Sequence, residues 1–257
     1  MKLCRFEHGG RISIGLWEGD RVRVCRGDIL GDLQRSAATL AAREVRLLAP
    51  LVPGKIIGIG RNYAEHAREL GNVPPEAEPL IFLKPPSSII AAGEPIVLPS
   101  ASQRVDHEGE LGVVIGRTAR NIGTGDDPLR WVLGYSCVND VTARDLQKKD
   151  VQFTRAKGFD TFCPFGPWIE TELDPSHLGV QTRVNGGIRQ SGNTSDMLFT
   201  VARLIRFLSE IMTLVPGDLI ATGTPAGVGP LAEGDRVEVE IEGIGVLENP
   251  VTIQKSA

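Results

Sequence analysis

Apolar positions in this chain alternate far more often than they recur at helical spacing. Ile12, Ile14 and Leu16 alternate with other residues, Glu18-Gly19-Asp20 turns the chain, and Val22 and Val24 alternate again, which predicts a hairpin. A short helical stretch is expected around residues 36–48. Pro50 and Pro53-Gly54 then punctuate a join, so a small unit at residues 1–52 is expected to precede a larger one at residues 53–257. Residues 55–59 read as an apolar strand ending in Gly58-Ile59-Gly60, followed by a turn and a short polar helix carrying His66 and Glu69. Residues 71–79 hold too much proline and too little apolar content to pack, and are expected to form a mobile lid. Residues 81–83, 96–98, 111–115 and 132–138 are short runs rich in β-branched side chains and predict strands. One real helix stands out over residues 195–212, where Met197, Leu198, Val201, Leu204, Ile205, Leu208, Ile211 and Met212 recur every three or four positions behind Ser195-Asp196 as cap. Beyond Pro216-Gly217-Asp218 strands return at residues 219–222, through Val237, Val239 and Ile241, and from Val246 onward.

Composition agrees with that framework. At 257 residues and 41% hydrophobic content the chain can fill a sizeable core, and its 30 Gly and 17 Pro are spread along its length, as short strands joined by tight turns require. The net charge of −4, with no Lys/Arg run of five or more, leaves no electrostatic footprint for nucleic acid or an anionic membrane. The first residues lack the apolar core of a signal peptide, and no run approaches the ~18 apolar residues of a membrane span, so a cytoplasmic protein is expected. Cys4, Cys25, Cys137 and Cys163 are widely separated, form no C-x-x-C pair, and are read as reduced thiols without a role.

The chemistry concentrates in Asp106-His107-Glu108-Gly109-Glu110 at the mouth of an apolar strand. Positions i and i+2 of a strand share a face, so Glu108 and Glu110 project side by side, and a buried pair of that kind is costly unless a cation neutralises it. Asp140 ends the apolar strand over residues 133–138; if the two strands are neighbours, three carboxylates converge. Oxygen donors alone suit a hard cation, Mg²⁺ or Mn²⁺ with Ca²⁺ also admissible, rather than zinc. The alternative is that the glutamates line a solvated edge and Asp140 caps a turn. His66 and Glu69, three apart on one helix, form a candidate general-base pair or an ordinary surface contact. Lys157 lies between Ala156 and Gly158, and Thr222-Gly223-Thr224-Pro225 offers hydroxyls and N–H groups to a carboxylate, or is a plain Gly-Pro turn.

Taken together, these stretches resemble the fumarylacetoacetate hydrolase family, in particular its short bacterial and mitochondrial members. The resemblance is carried by Gly60-Arg61-Asn62-Tyr63 with His66 and Glu69, Phe82-Leu83-Lys84-Pro85, His107-Glu108-Gly109-Glu110-Leu111-Gly112, Asn139-Asp140 through Asp145, Ala156-Lys157, and Thr222-Gly223-Thr224-Pro225 through Pro230. It implies an α+β, mainly β fold, a mixed β-roll with a small N-terminal β domain, assembled as a homodimer. It also implies Mg²⁺ or Mn²⁺ on Glu108, Glu110 and Asp140, chelated by the carboxylate and 2-oxo oxygen of a small 2-oxo or 2-hydroxy acid. By the same matching, His66 and Glu69 form a dyad on a lid, Lys157 stabilises an enolate or oxyanion, and Arg61, Tyr63, Arg144, Gln147 and Thr224 contact substrate.

Three reactions share an enolate: shifting a C=C bond between enol and keto forms, losing CO₂ from a β-oxo acid, and cleaving an acylpyruvate with activated water. The leading expectation is an isomerase, with decarboxylation as an optional further activity, of unsaturated 2-hydroxy or 2-oxo dicarboxylic acids such as arise in aromatic-compound degradation. The runner-up is an acylpyruvate hydrolase or oxaloacetate decarboxylase on the same site, and a non-catalytic metal- or ligand-binding protein is the remote third.

Overall fold

Strand Gly109–Ile115 is buried at every residue and runs through the middle of the largest sheet. The computed structural model of the chain describes residues 1–254. Small and β-branched side chains let this strand lie between two neighbours, Val132–Asn139 and Leu219–Ala221, both antiparallel to it. The sheet continues past Leu219–Ala221 through Ile56–Gly60 to Leu80–Lys84, and past Val132–Asn139 through Cys163–Glu170 to the N-terminal strands.

Alternation along the central strand sorts the core. Leu111, Val113 and Ile115 pack with Val239, Ile241 and Leu247 of a five-stranded sheet and with Leu204, Ile205 and Leu208 of helix Val201–Ile211. Val114 faces the other way, into a second cluster with Val138, Phe165, Leu219 and Ala221. A small three-stranded sheet, formed by Val105–His107, Thr142–Ala143 and Gly229–Pro230, ties together the loops at one end of the large one. The fold is mainly β, with short helices. Among the described residues no helix is long and apolar enough to cross a membrane.

Two expectations need correction. Residues 36–48 are not helical: Leu33–Ala41 is a strand paired with Arg21–Gly27, Ala42–Glu44 is a single 3₁₀ turn, and Arg46–Leu48 is a strand beside Lys2–His8. The alanines there favour a helix weakly, and cross-strand pairing outweighs that preference. Strand Lys2–His8, absent from the periodicity reading, joins the hairpin to Cys163–Glu170, so the leading residues extend the large sheet.

The second correction concerns residues 195–212. Helix Val201–Ile211 starts at Val201 rather than at residue 195, and Thr200 caps it by accepting the Arg203 N–H. Ser195 and Asp196 belong instead to a separate 3₁₀ turn capped by Asn193. The break has a cause in Asn62. Its backbone C=O accepts the Leu198 N–H at 2.8 Å and its side-chain oxygen accepts the Phe199 N–H at 2.8 Å, which draws residues 197–199 out of any helix. The amide of the same fully buried side chain donates to the carbonyls of Phe199 (3.1 Å) and Thr222 (2.7 Å). Gly223 must be glycine beside it: φ is +98°, and a Cβ would lie 2.7 Å from Asn62 Cβ.

Asn62 thus pins the turn before helix Ala64–Glu69 to the loop after Leu219–Ala221. Asn62→Ala strands three buried main-chain groups, and a loss of roughly 3–5 kcal/mol is expected from the urea unfolding midpoint. A loss under about 1 kcal/mol would remove Asn62 from that role.

Candidate metal centre and active site

The acidic cluster is assembled by the ends of two paired strands. Gly109 stands opposite Asn139, the Asp140 N–H donates to the Glu108 carbonyl at 2.8 Å, and Asn139 Oδ1 accepts the Glu108 N–H at 2.9 Å. These bonds carry Asp140 beside the glutamate pair. One carboxylate oxygen from each of Glu108, Glu110 and Asp140 lies within 4.8 Å of the others, and all three residues are buried.

Three buried cations stand against the cluster. Lys157 Nζ donates to Glu108 at 2.9 Å and Asp140 at 2.5 Å, Lys84 Nζ to Asp140 at 2.6 Å, and Arg144 to Glu108 at 2.6 Å. Asp106, fully buried, accepts from Arg144 Nε at 3.0 Å and holds that guanidinium in place. Among the described residues Glu110 has no hydrogen-bonded basic partner; it accepts only the Gly223 N–H, at 2.8 Å. The consequences divide the pair. Burial pushes the Glu108 carboxyl up, but Lys157 and Arg144 together hold it far below the ordinary range. For Glu110, burial and then the charges of Asp140 and Glu108 push it well above that range. Lys157 is disfavoured by burial, yet the Asp140 and Glu108 charges outweigh this and keep it firmly protonated.

A cavity of about 420 Å³ reaches the cluster at Glu108; Glu110 and Asp140 are not among the residues that line it. Arg61, His66, Glu69, Glu108, Arg144, Gln147 and Lys157 line it, so most of the residues singled out from sequence meet at one wall. Arg61 does so from a left-handed backbone, φ 59°, unusual for a side chain of that size. Gln147 accepts from Arg144 at 2.7 Å. Tyr63 and Thr224 stand behind the wall: Tyr63 is buried in the main core with its hydroxyl unpaired, and the Thr224 hydroxyl donates to the Gly109 carbonyl at 2.8 Å. His66 and Glu69 are adjacent without being joined. Glu69 Oε2 lies 3.5 Å from Nδ1, which has no hydrogen-bond partner among the described residues, while both Glu69 oxygens accept the Gly227 N–H at 3.1 Å. Burial, ahead of the surrounding charges, lowers the His66 imidazole below its usual value, so the ring is neutral at pH 7.

The cavity also holds groups without a role in the sequence reading. Phe82 and Phe153 meet edge to face, ring centres 5.8 Å apart, and the Lys157 ammonium sits 4.7 Å from the Phe82 ring centre. Gly58 makes room for that ring, since a Cβ there would come within 2.1 Å of it. Arg104 and Lys148 add positive charge at the wall. Lys84 left one signal in the sequence: a lone lysine ending an otherwise apolar run in a strand.

The donor set fits a divalent cation. It is oxygen-only, acidic and buried, and Glu110 faces it with no counter-charge of its own. A cation there would be held by Glu108, Glu110 and Asp140. The linkage has a definite sign. An acid whose pKa is raised on folding adds stability below its unfolded value, about 4.5, that is lost as pH rises through the folded one. Cation binding draws the proton from Glu110 and becomes stronger over the same window. The gain in melting temperature from 1 mM MnCl₂ is therefore expected to grow as pH is raised stepwise above 4.5, and Glu110→Gln is expected to flatten that rise. A gain that does not change with pH across that series in the native sequence would contradict this assignment of the proton.

Comparison with known proteins agrees with the geometry. Residues 1–50 match a family model described as Rv2993c-like, N-terminal. The crystal structure of 5-carboxymethyl-2-hydroxymuconate delta-isomerase from Mycobacterium smegmatis is 44% identical, covers 99% of this chain and 100% of its own, and superposes with a TM-score of 0.92. Maleylpyruvate hydrolase from Sphingobium sp. SYK-6, solved in complex with manganese(II) ion and pyruvate, is 33% identical with a TM-score of 0.83, covering 99% of this chain and 100% of that one. The mitochondrial oxaloacetate tautomerase of Xenopus laevis is 45% identical over 225 residues, 82% of this chain and 70% of the relative. Residues 55–252 match the model for the fumarylacetoacetate (FAA) hydrolase C-terminal domain, and the chain belongs to the fumarylacetoacetate hydrolase family.

Proposed function

We propose that this protein is a divalent-metal-dependent isomerase that interconverts enol and keto forms of small unsaturated 2-oxo or 2-hydroxy dicarboxylic acids. The observation that carries the reading is a buried three-carboxylate cluster that meets, through Glu108, a cavity walled by Arg61, Arg104, Arg144, Lys148 and Lys157. The cations Lys84, Arg104, Arg144 and Lys157 match the acids Asp106, Glu108, Glu110 and Asp140 in number, so a bound divalent ion would leave the site with excess positive charge. A dianion suits such a site better than a monocarboxylate does. When bound, Mg²⁺ or Mn²⁺ supplies Lewis acidity that favours negative charge on the 2-oxo oxygen as the enolate develops.

The chain's own groups divide the remaining work. Arg144, aimed by Asp106 and Gln147, holds one substrate carboxylate, and Arg61 with Lys148 meets the other at the mouth of the cavity. Lys157 Nζ, kept charged, stabilises the enolate oxygen. Nδ1 of the neutral His66 ring faces Glu69, which leaves Nε2 to carry the proton between substrate carbons. Phe82 and Phe153 cover the conjugated carbons and exclude water, and residues 71–79 close over the opening, where Leu70 and Asn72 already lie. A relative named as a delta-isomerase and another named as a tautomerase support this reaction class.

A second reading, hydrolysis of an acylpyruvate-type C–C bond, is favoured by the 3.5 Å approach of Glu69 to His66, which would orient the ring for water activation. A third use of the same enolate chemistry, decarboxylation of oxaloacetate, needs no base at all.

The metal-free protein, assayed with and without Mn²⁺ against a 2-hydroxymuconate-type diacid, oxaloacetate and acetylpyruvate, separates these readings. Isomerisation of the diacid is expected to be fastest and to need the metal, and His66→Ala is expected to lower its kcat by roughly 10²–10⁴. Preferential cleavage of acetylpyruvate, or an unaltered rate in His66→Ala, would overturn the isomerase assignment.

A further inference from the structure

Gln190 lies on strand Gly187–Asn193 of the five-stranded sheet, some eighty positions from the acidic strand, and its side chain is fully buried. It reaches the one residue that separates two ligand carboxylates. Gly109 has no room for a side chain: a Cβ would lie 2.1 Å from the hydroxyl of Thr182, the cross-strand neighbour of Gln190. Strand Leu219–Ala221 serves as ladder neighbour only as far as Gly112, so the main chain at Gly109 has to find other groups on that side. Gln190 Oε1 accepts the Gly109 N–H at 3.0 Å, and the Thr224 hydroxyl donates to the Gly109 carbonyl at 2.8 Å.

The direction of each bond in this cluster follows from two main-chain groups. Gln190 Nε2 donates to the Pro225 carbonyl at 2.8 Å, while Oε1 accepts from the Gly109 N–H. Reversing the amide would set N–H against N–H and oxygen against oxygen, so its orientation is determined. Nε2 can only donate, so the Thr224 hydroxyl accepts from it at 2.6 Å and directs its own proton to Gly109. Oε1 can only accept, so His107 presents Nδ1–H to it across 3.2 Å. One amide thereby sets a hydroxyl, an imidazole tautomer and both main-chain groups of Gly109.

We infer that Gln190 is a positioning residue for the metal site: by clamping Gly109 it sets the angle at which Glu108 and Glu110 project, and through Thr224 and Pro225 it locks the adjoining loop to the same strand. The inference rests on the metal reading above and deepens it. Gln190 touches neither cation nor substrate; it acts through the backbone between two ligands, as outer groups at metal sites commonly do.

The test is Mn²⁺ affinity measured by calorimetry on the full-length protein, at a temperature where each variant is folded by circular dichroism. Gln190→Met keeps the length of the side chain and loses every polar contact; Mn²⁺ Kd is expected to rise about 10–100-fold. Gln190→Glu keeps the accepting oxygens but sets one against the Pro225 carbonyl; a smaller rise is expected, and this variant carries the test should the first not fold. Asn249→Ala is the control. It removes another buried amide of the same sheet, one bonded at 2.8 Å to the carbonyls of Ala91 and Glu94, and should leave Kd within about twofold. Wild-type affinity in the Gln190 variants, or equal weakening in Asn249→Ala, would overturn the inference while the metal site stood. A wild-type protein that binds no Mn²⁺ would overturn both.

Discussion

Negative charge confined away from water is the constraint on which the rest of this molecule depends. Glu108, Glu110 and Asp140 crowd within 4.8 Å of one another in the interior, where an uncompensated ion costs several kcal/mol. Lys84, Arg144 and Lys157 answer that cost from three different elements, which is why three long cationic side chains lie buried in a chain of this size. They do not answer it evenly. Glu108 and Asp140 each receive charged donors, whereas Glu110 receives one backbone N–H and resists ionisation. A divalent cation would remove that asymmetry, and the excess charge it brought would suit an anionic ligand.

Holding such a cluster needs a scaffold stiff enough that repulsion cannot open it. The ligand strand lies in the middle of a sheet between two other strands, and its apolar face packs on a second sheet and a helix. Where regular pairing ends, buried amides take over. Asn62 joins the turn before the His66 helix to the loop after Leu219–Ala221, and Gln190 joins that loop to Gly109. Glycine enters where two main chains must touch, as at Gly109 against Thr182 and Gly223 against Asn62. The same backbone that positions the acids therefore also positions the cavity wall.

How much of this is legible in the sequence follows from how local each feature is. Two glutamates at i and i+2 in a strand must share a face, so that pairing reads directly. The approach of Asp140 depends on which strand lies beside it, a fact that resides in the Gly109–Asn139 pairing rather than in either segment. The helix at 201–211 is visible in its three- and four-residue spacing, but its start is not, because Asn62, remote in sequence, bonds the residues that the spacing would include. Alanine-rich residues near 37–42 carry a helical preference that the edge of a sheet overrides. Gln190 has no sequence signal at all. A glutamine in a short polar strand looks like surface, and only the fold brings it against Gly109.

The central claim is that the three buried carboxylates together bind one divalent cation. Anomalous diffraction at the manganese edge, from crystals equilibrated with MnCl₂, tests it most directly. The account predicts a single strong peak bounded by Glu108, Glu110 and Asp140, at roughly 2.1 Å from an oxygen of each, as a hard cation demands. A peak elsewhere, or none, with Lys157 still bridging Glu108 and Asp140, would contradict it.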